Sequence, residues 1–100
     1  MRVIAKRTLR QFWEASSRNA GARSALEDWF AQTSEADRAT PAQLKEQFGD
    51  ASILKGGRVV FNIAGNRYRL VVRINYPYRV VYVRFVGTHA EYDAIDANTI

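Results

Sequence analysis

The strongest constraint on how this chain folds is a two-residue alternation near its carboxyl end. From Asn66 to Tyr76 the odd positions are Arg67, Arg69, Val71, Arg73 and Asn75, and the even ones are Tyr68, Leu70, Val72, Ile74 and Tyr76. Successive side chains of a strand point to opposite faces, so one face of this segment is polar and cationic while the other belongs in a core. Arg58 to Ile63 divides in the same way, with Val59, Phe61 and Ile63 inward and Arg58, Val60 and Asn62 outward. Arg79 to Thr88 follows, with Val81, Val83 and Phe85 inward and Val80, Tyr82, Arg84, Val86 and Thr88 outward. Ala64, Gly65 and Asn66 supply one turn and Asn75, Tyr76, Pro77 and Tyr78 the next, so the three segments read as an antiparallel meander.

The amino half changes period. Met1 to Ala5 is apolar enough for an opening strand, whose pairing partner is not readable. From Lys6 to Ser17 the residues Leu9, Phe12, Trp13 and Ser16 fall at helical spacing, and Ala22 to Gln32 repeats this with Ala22, Leu26, Trp29 and Phe30. Asn19, Ala20 and Gly21 form the turn between them. Trp13 and Trp29 lie on amphipathic stripes and are assigned to the core rather than to stacking on bases. Gln32 to Thr40 reads as a polar connection. Thr40, Pro41 and Gln43 then give an N-cap, a first-turn proline and a capping-box partner for a short helix carrying Leu44 and Phe48. Gly49 and Asp50 stop it, and Ile53 to Gly57 reads as a loop entering the sheet. The expected fold is α+β, with helices packed on one face of a small antiparallel sheet. One hundred residues suffice for one core, so residues 1–100 read as a single domain.

Charge narrows the partner. The net charge is +5, the pI is near 10.0, and twelve of the fifteen basic residues are Arg, whose planar fork grips phosphate at two points. Arg67, Arg69, Arg73 and Arg84 on one sheet face repel one another unless something anionic answers them. Nucleic acid fits that field, as does an acidic protein. A membrane surface fits less well, because the charge lies in strands rather than on an amphipathic helix. The absence of Cys removes disulfides, thiolate chemistry and Cys-built zinc sites, and fits a reducing cytoplasm. No segment approaches the roughly twenty apolar residues that span a bilayer, so the chain reads as soluble and untargeted. There is no glycine-rich phosphate loop, no serine elbow and no second His for a metal, so no cofactor is expected.

Directly after the last strand comes Thr88-His89-Ala90-Glu91-Tyr92-Asp93. Thr88 with Glu91 matches a capping box and so starts a terminal helix, with His89 at its first position and Tyr92 at its fourth. Beside a basic sheet face, the chemistry that suits these residues is cleavage of an RNA phosphodiester by its own 2'-hydroxyl. A base takes the hydroxyl proton, an acid protonates the departing 5'-oxygen, and cations stabilise charge growing on the phosphate. Arginine stays protonated, so it serves only as stabiliser or anchor. The proton carriers lie among His89, Tyr92, Glu91 and Asp93. His89 titrates nearest neutrality, and a helix N-terminus with nearby guanidinium groups is expected to favour its neutral form.

Val60-Phe61-Asn62-Ile63-Ala64-Gly65-Asn66 followed by Arg69, then Tyr82 and Arg84, then the Thr88 to Asp93 ending, resembles the HigB family of toxin-antitoxin modules, within the RelE-like superfamily of mRNA interferases. The resemblance covers the carboxyl half; the helical half is similar only in pattern. It implies a RelE-like fold and a bacterial endoribonuclease toxin that cuts mRNA on translating ribosomes and halts growth. It also implies a helix-turn-helix, HigA-like antitoxin that silences the toxin, the pair reaching operon DNA only through that antitoxin. Carried over by position, the family's site residues are Asn62, Asn66, Arg69, Arg84, His89 and Tyr92. With the alternation added, His89, Tyr92, Arg69 and Arg84 are the expected catalytic residues, and Arg58, Asn62, Asn66, Arg67, Arg73 and Tyr82 the expected RNA contacts. The division of labour between His89 and Tyr92 stays open. The alternatives are a non-catalytic RNA- or ribosome-binding module and a protein that uses the same patch for an acidic helix.

Overall fold

Leu9 and Trp13 from helix α1 (Lys6–Ala15), Leu26 and Trp29 from α2 (Arg23–Glu35) and Leu44 from α3 (Pro41–Gln47) are buried against one face of a sheet. The computed structural model describes residues 1–100. Its strands are β1 (Arg2–Ile4), β2 (Ser52–Ile53), β3 (Arg58–Ile63), β4 (Tyr68–Asn75) and β5 (Val80–Thr88), in the spatial order β1-β5-β4-β3-β2. The β3-β4-β5 meander is antiparallel, as its alternation requires. The opening strand finds its partner at the far edge, where β1 runs parallel to β5 and makes the five-stranded sheet mixed. No helix is long and apolar enough to cross a membrane.

Three local differences from the expected elements have plain causes. The turn expected at Asn19 to Gly21 widens into a 3-10 helix over Ser17–Ala22, capped by Ser16, whose hydroxyl accepts from the Arg18 amide, so Ser16 and Ser17 leave the first expected helix and Ala22 the second. Helix α2 runs past Gln32 to Glu35, where the Ala36 amide closes its last turn on the Gln32 and Thr33 carbonyls and Thr33 is carried into the interior at 1 % exposure. Ile53, read as the start of a loop, instead pairs antiparallel with Val59, and Ser52 beside it with Val60. The α3 start keeps the expected cap and proline, with Thr40 Oγ1 accepting from the Gln43 amide at 3.2 Å and Pro41 in the first turn, but the Gln43 side chain accepts from the Ala39 amide at 2.8 Å rather than from Thr40, so the expected capping box does not close.

The main core joins the helical residues to Val59, Phe61, Ile63, Tyr68, Leu70, Val72, Ile74 and Val81. Edge-to-face aromatic contacts lock the layers: Trp29 on Phe61 at 5.4 Å and Phe48 on Phe61 at 5.0 Å. Such pairs add roughly 0.5–1.5 kcal/mol beyond the area they bury. Trp13 and Trp29 are buried at 7 % and 4 % exposure, which leaves neither as a platform for bases.

The opposite face is not the open polar surface that strict alternation predicts. A β-bulge sits between Val71 and Val72: Val71 pairs with Phe85 but Val72 pairs with Val83, so Arg84 is an extra residue on β5. Beyond a bulge the parity of a strand inverts. Phe85, expected inward, therefore joins the outer side, and Val86, expected outward, packs on the main core. On the outer side Val60, Val71 and Ala97 form a second small core, flanked by Leu54, Phe85, Tyr92, Ile95 and Ile100. The segment after α4 (His89–Asp93) thus folds back over the sheet centre, and Arg58 Nε donates to the Ile100 carbonyl at 2.9 Å.

Candidate active site

Helix α4 is placed by its cap. Thr88 Oγ1 accepts from the Glu91 amide at 3.2 Å, and Glu91 Oε1 accepts from the Thr88 amide at 2.8 Å, the two halves of the expected capping box. A further bond from the His89 amide to the Arg67 carbonyl, 3.0 Å, ties the first helical residue to the neck of the β3-β4 hairpin. His89 is therefore held at a defined spot with its ring 45 % exposed. Its Nδ1 lies 3.1 Å from Asp93 Oδ2. An ionised carboxylate only accepts, so Nδ1 carries the proton in this contact, and Nε2 is then the lone-pair nitrogen of a neutral ring. The charge touching the ring is thus an acid one turn away, not the guanidinium groups expected from the sequence. Asp93 is the site residue whose part went unassigned; its signal was the i,i+4 spacing from His89 on a helix.

Arg69 anchors the neighbouring side. It is only 9 % exposed. One terminal nitrogen donates to the carbonyls of Asn66 and Tyr68, at 3.3 and 3.2 Å, and the other to Asn66 Oδ1 at 2.6 Å. The guanidinium also lies over the Tyr92 ring, 5.9 Å from its centroid. Asn62 is the cross-strand partner of Arg69. Asn62, Asn66, Arg69 and Tyr92 therefore form one linked set running from the β3-β4 hairpin to the helix that carries His89. Arginine has five N–H donors and three serve the fold here, so this charge is fixed rather than free to follow a ligand.

The other predicted residues gather elsewhere on the same face. Arg73 lies opposite Arg58 on one side and Tyr82 on the other. Arg73, Tyr82 and Arg84 line a groove of about 770 Å³ with Asn75, Gly57 and Leu54. Arg73 lies four positions along β4 from Arg69, roughly 13 Å at about 3.3 Å per residue. Between them the segment carrying Ala97 covers Val71. The single continuous arginine face expected from the alternation is thus two regions. None of Arg67, Arg69, Arg73 or Arg84 is in an ion pair, and Arg58 bonds the Ile100 backbone oxygen; the four side-chain pairs of the structure are Arg10–Glu14, Arg23–Glu27, Arg79–Asp37 and His89–Asp93.

Arg67 belongs to neither region. Ile63 pairs with Tyr68, so residues 64–67 are all turn and the strand parity does not reach Arg67. Its guanidinium lies 5.5 Å from the centroid of Tyr68, a core residue whose hydroxyl donates to the Arg18 carbonyl. A Cβ on Gly21 would sit 3.6 Å from its terminal nitrogens, which puts this charge beside the helical layer. No three His, Cys, Asp or Glu side chains come together as a metal-holding group.

Among curated proteins none matches the chain. A family model described as the HigB toxin, a RelE-like toxic component of a toxin-antitoxin system, matches residues 22–95. That span takes in α2, the whole β-meander, the Arg69 set and the His89–Asp93 pair, leaving outside it β1, α1 and the end of the covering segment. With a mixed five-stranded sheet and four helices arranged as described, the chain belongs to the HigB toxin family, the RelE-like toxic component of a toxin-antitoxin system, and so has an antitoxin for a partner.

Proposed function

We propose that this toxin is an mRNA interferase: a metal-independent endoribonuclease that cuts mRNA on the ribosome in the cytoplasm, and so stops translation and growth. The observation that carries the reading is the half-exposed His89 ring, with Nδ1 engaged by Asp93, on the same short helix as Tyr92, whose ring lies under the Arg69 guanidinium, a charge in no ion pair. The 2'-hydroxyl gives up its proton and its oxygen bonds to the adjacent phosphorus. The bond to the 5'-oxygen breaks, and that oxygen takes a proton. His89 Nε2 performs one of the two proton transfers and Tyr92 is the candidate for the other. A well-placed acid or base contributes about 10²–10⁴ in rate. The fixed charge of Arg69 stabilises the phosphorane, whereas Arg84, expected to share that role, lines the groove with Arg73 and Tyr82 and is assigned to an RNA contact instead. Asn62, Asn66, Arg58, Arg67, Arg73 and Tyr82 are the RNA contacts, Arg67 from the helical side of the hairpin. No cofactor enters these steps.

The antitoxin in this reading is a HigA-like helix-turn-helix protein that lays an acidic or helical segment over the basic face, and DNA is reached only through it. One observation favours a non-catalytic RNA- or ribosome-binding module instead: Arg69 spends three donors on its own hairpin. Primer extension on mRNA from cells expressing the toxin separates the two. New 5' ends that appear with the parent and vanish with His89→Ala support the nuclease. Stalled translation with intact messages would favour the binding module.

A further inference from the structure

We propose that the groove of Arg73, Tyr82 and Arg84 is a nucleotide site, which stacks one base on Tyr82 and holds its phosphate between the two arginines, away from the bond being cut. The proposal rests on the reading of the protein as an RNA-cleaving toxin and adds to it a second, spatially separate contact with the strand.

Four features carry it. First, Arg58 and Arg73 stand directly opposite each other on β3 and β4, an arrangement that like charges disfavour. Arg58 has the Ile100 carbonyl for its Nε, whereas Arg73 and Arg84 have no carboxylate within ion-pair reach. Second, Tyr82 is the cross-strand neighbour of Arg73 and one of only four large apolar side chains left exposed, at 40 %. An exposed aromatic beside unpaired arginines is the pairing that single-stranded nucleic acid requires, a π-face for a base and a fork for its phosphate. Third, the bulge leaves Arg84 on the same side as Tyr82 and Phe85, where it completes the groove. Fourth, the groove wall is backbone in close approach: Gly57, at φ +78°, sits where a Cβ would lie 2.5 Å from the Ile74 carbonyl oxygen. A volume near 770 Å³ falls within the range of about 300–1,000 Å³ typical of clefts that take small ligands.

The separation from the His89 region decides which nucleotide is held. Arg69 is pinned to Asn66 and Tyr68 and cannot reach along the strand toward Arg73. One phosphate therefore does not serve both regions, and the groove takes a residue upstream or downstream of the scissile link.

The test uses fluorescence anisotropy with a fully 2'-O-methylated RNA heptamer, which cannot be cut, and a series carrying one abasic position each. Tyr82→Ala is expected to weaken binding on the order of tenfold, while Tyr82→Phe, which keeps the ring, stays within about twofold. One abasic position weakens binding to the parent and has no further effect on Tyr82→Ala. Arg73→Gln weakens every sequence alike and lowers the slope of log affinity against log salt by about one. The assignment is overturned if Tyr82→Ala binds as the parent does, if Phe loses as much as Ala, or if the abasic series is flat. A flat series with competition by an acidic polypeptide would give the groove to a protein segment. Because the probe is uncleavable, absence of nuclease activity would sink the function proposed above and leave this result standing.

Discussion

Replacing Arg69 asks whether this residue first holds the fold or first holds RNA. Arg69→Ala removes a charge-assisted bond of 2.6 Å to Asn66 Oδ1, two longer bonds of 3.3 and 3.2 Å to carbonyls, and a contact with the Tyr92 ring. Hydrogen bonds to charged groups contribute about 1.5–3 kcal/mol each, and a partly desolvated cation–π contact about 1 kcal/mol. The full sum overstates the effect: two bonds are long, Asn66 can be rehydrated at the surface, and burying the guanidinium offsets part of the gain. A net loss of about 3 kcal/mol is expected. With a urea slope of about 1.5 kcal/mol/M, that lowers the unfolding midpoint by about 2 M. Arg69→Met keeps the apolar stem and leaves no buried charge, so its loss is smaller, about 1–2 kcal/mol. The assay is equilibrium urea unfolding followed by circular dichroism on purified toxin. A midpoint within about 0.5 M of the parent for Arg69→Ala would refute the anchoring role and return this arginine to the ligand. The expected result carries a warning for activity work, since loss of toxicity in Arg69→Ala would partly reflect loss of folded protein.

Three other substitutions test separate parts of the account. The Tyr76 hydroxyl is buried without a hydrogen-bond partner, and burial pushes its phenol above the ordinary value of 10.0. A raised folded-state value gives stability that is present below the unfolded value and lost as pH rises through the folded one. Tyr76→Phe should thus be stabilising by up to about 1 kcal/mol at pH 7 and should flatten the decline in urea midpoint above about pH 10. Gly57→Ala drives a Cβ into the Ile74 carbonyl at a positive φ, and should cost about 3 kcal/mol or more in the same unfolding measurement. Asp93→Asn keeps the shape but changes the partner of His89 Nδ1; single-turnover RNA cleavage should fall about tenfold, less than the 10²–10⁴ expected for His89→Ala. Equal losses for the two would mean that Asp93 acts on substrate itself.

Much of the fold was legible because period and capping are local. The helical stripes of Leu9, Trp13, Leu26 and Trp29, the Thr40 cap and the Thr88–Glu91 box all need only neighbours in sequence, and all are present. The meander was legible for the same reason. What failed depended on a count across strands or on distant chain. One extra residue at Arg84 inverts the parity of Phe85 and Val86, and no residue in β5 announces it by type. The partner of β1 and the two-residue β2 arise from tertiary pairing alone. Arg67 obeys the alternation on paper but stands in a four-residue turn, so its side chain goes to the helical layer. The covering segment around Ala97 lies beyond the last predicted helix and splits the arginine face in two. For the site, the residues were identifiable by type, whereas their grouping was not: Arg69 proves to be an internal anchor, and His89 answers to Asp93.

The most direct measurement is the chemistry of the ends left on RNA by purified toxin, alone and with programmed ribosomes. In-line attack by a 2'-hydroxyl, with His89 moving a proton, leaves a 2',3'-cyclic phosphate on one fragment and a 5'-hydroxyl on the other. Mass spectrometry of the fragments should find that pair with the parent and lose it with His89→Ala. Fragments bearing 3'-hydroxyl and 5'-phosphate ends, or the same cyclic ends in undiminished yield from His89→Ala, would contradict the account.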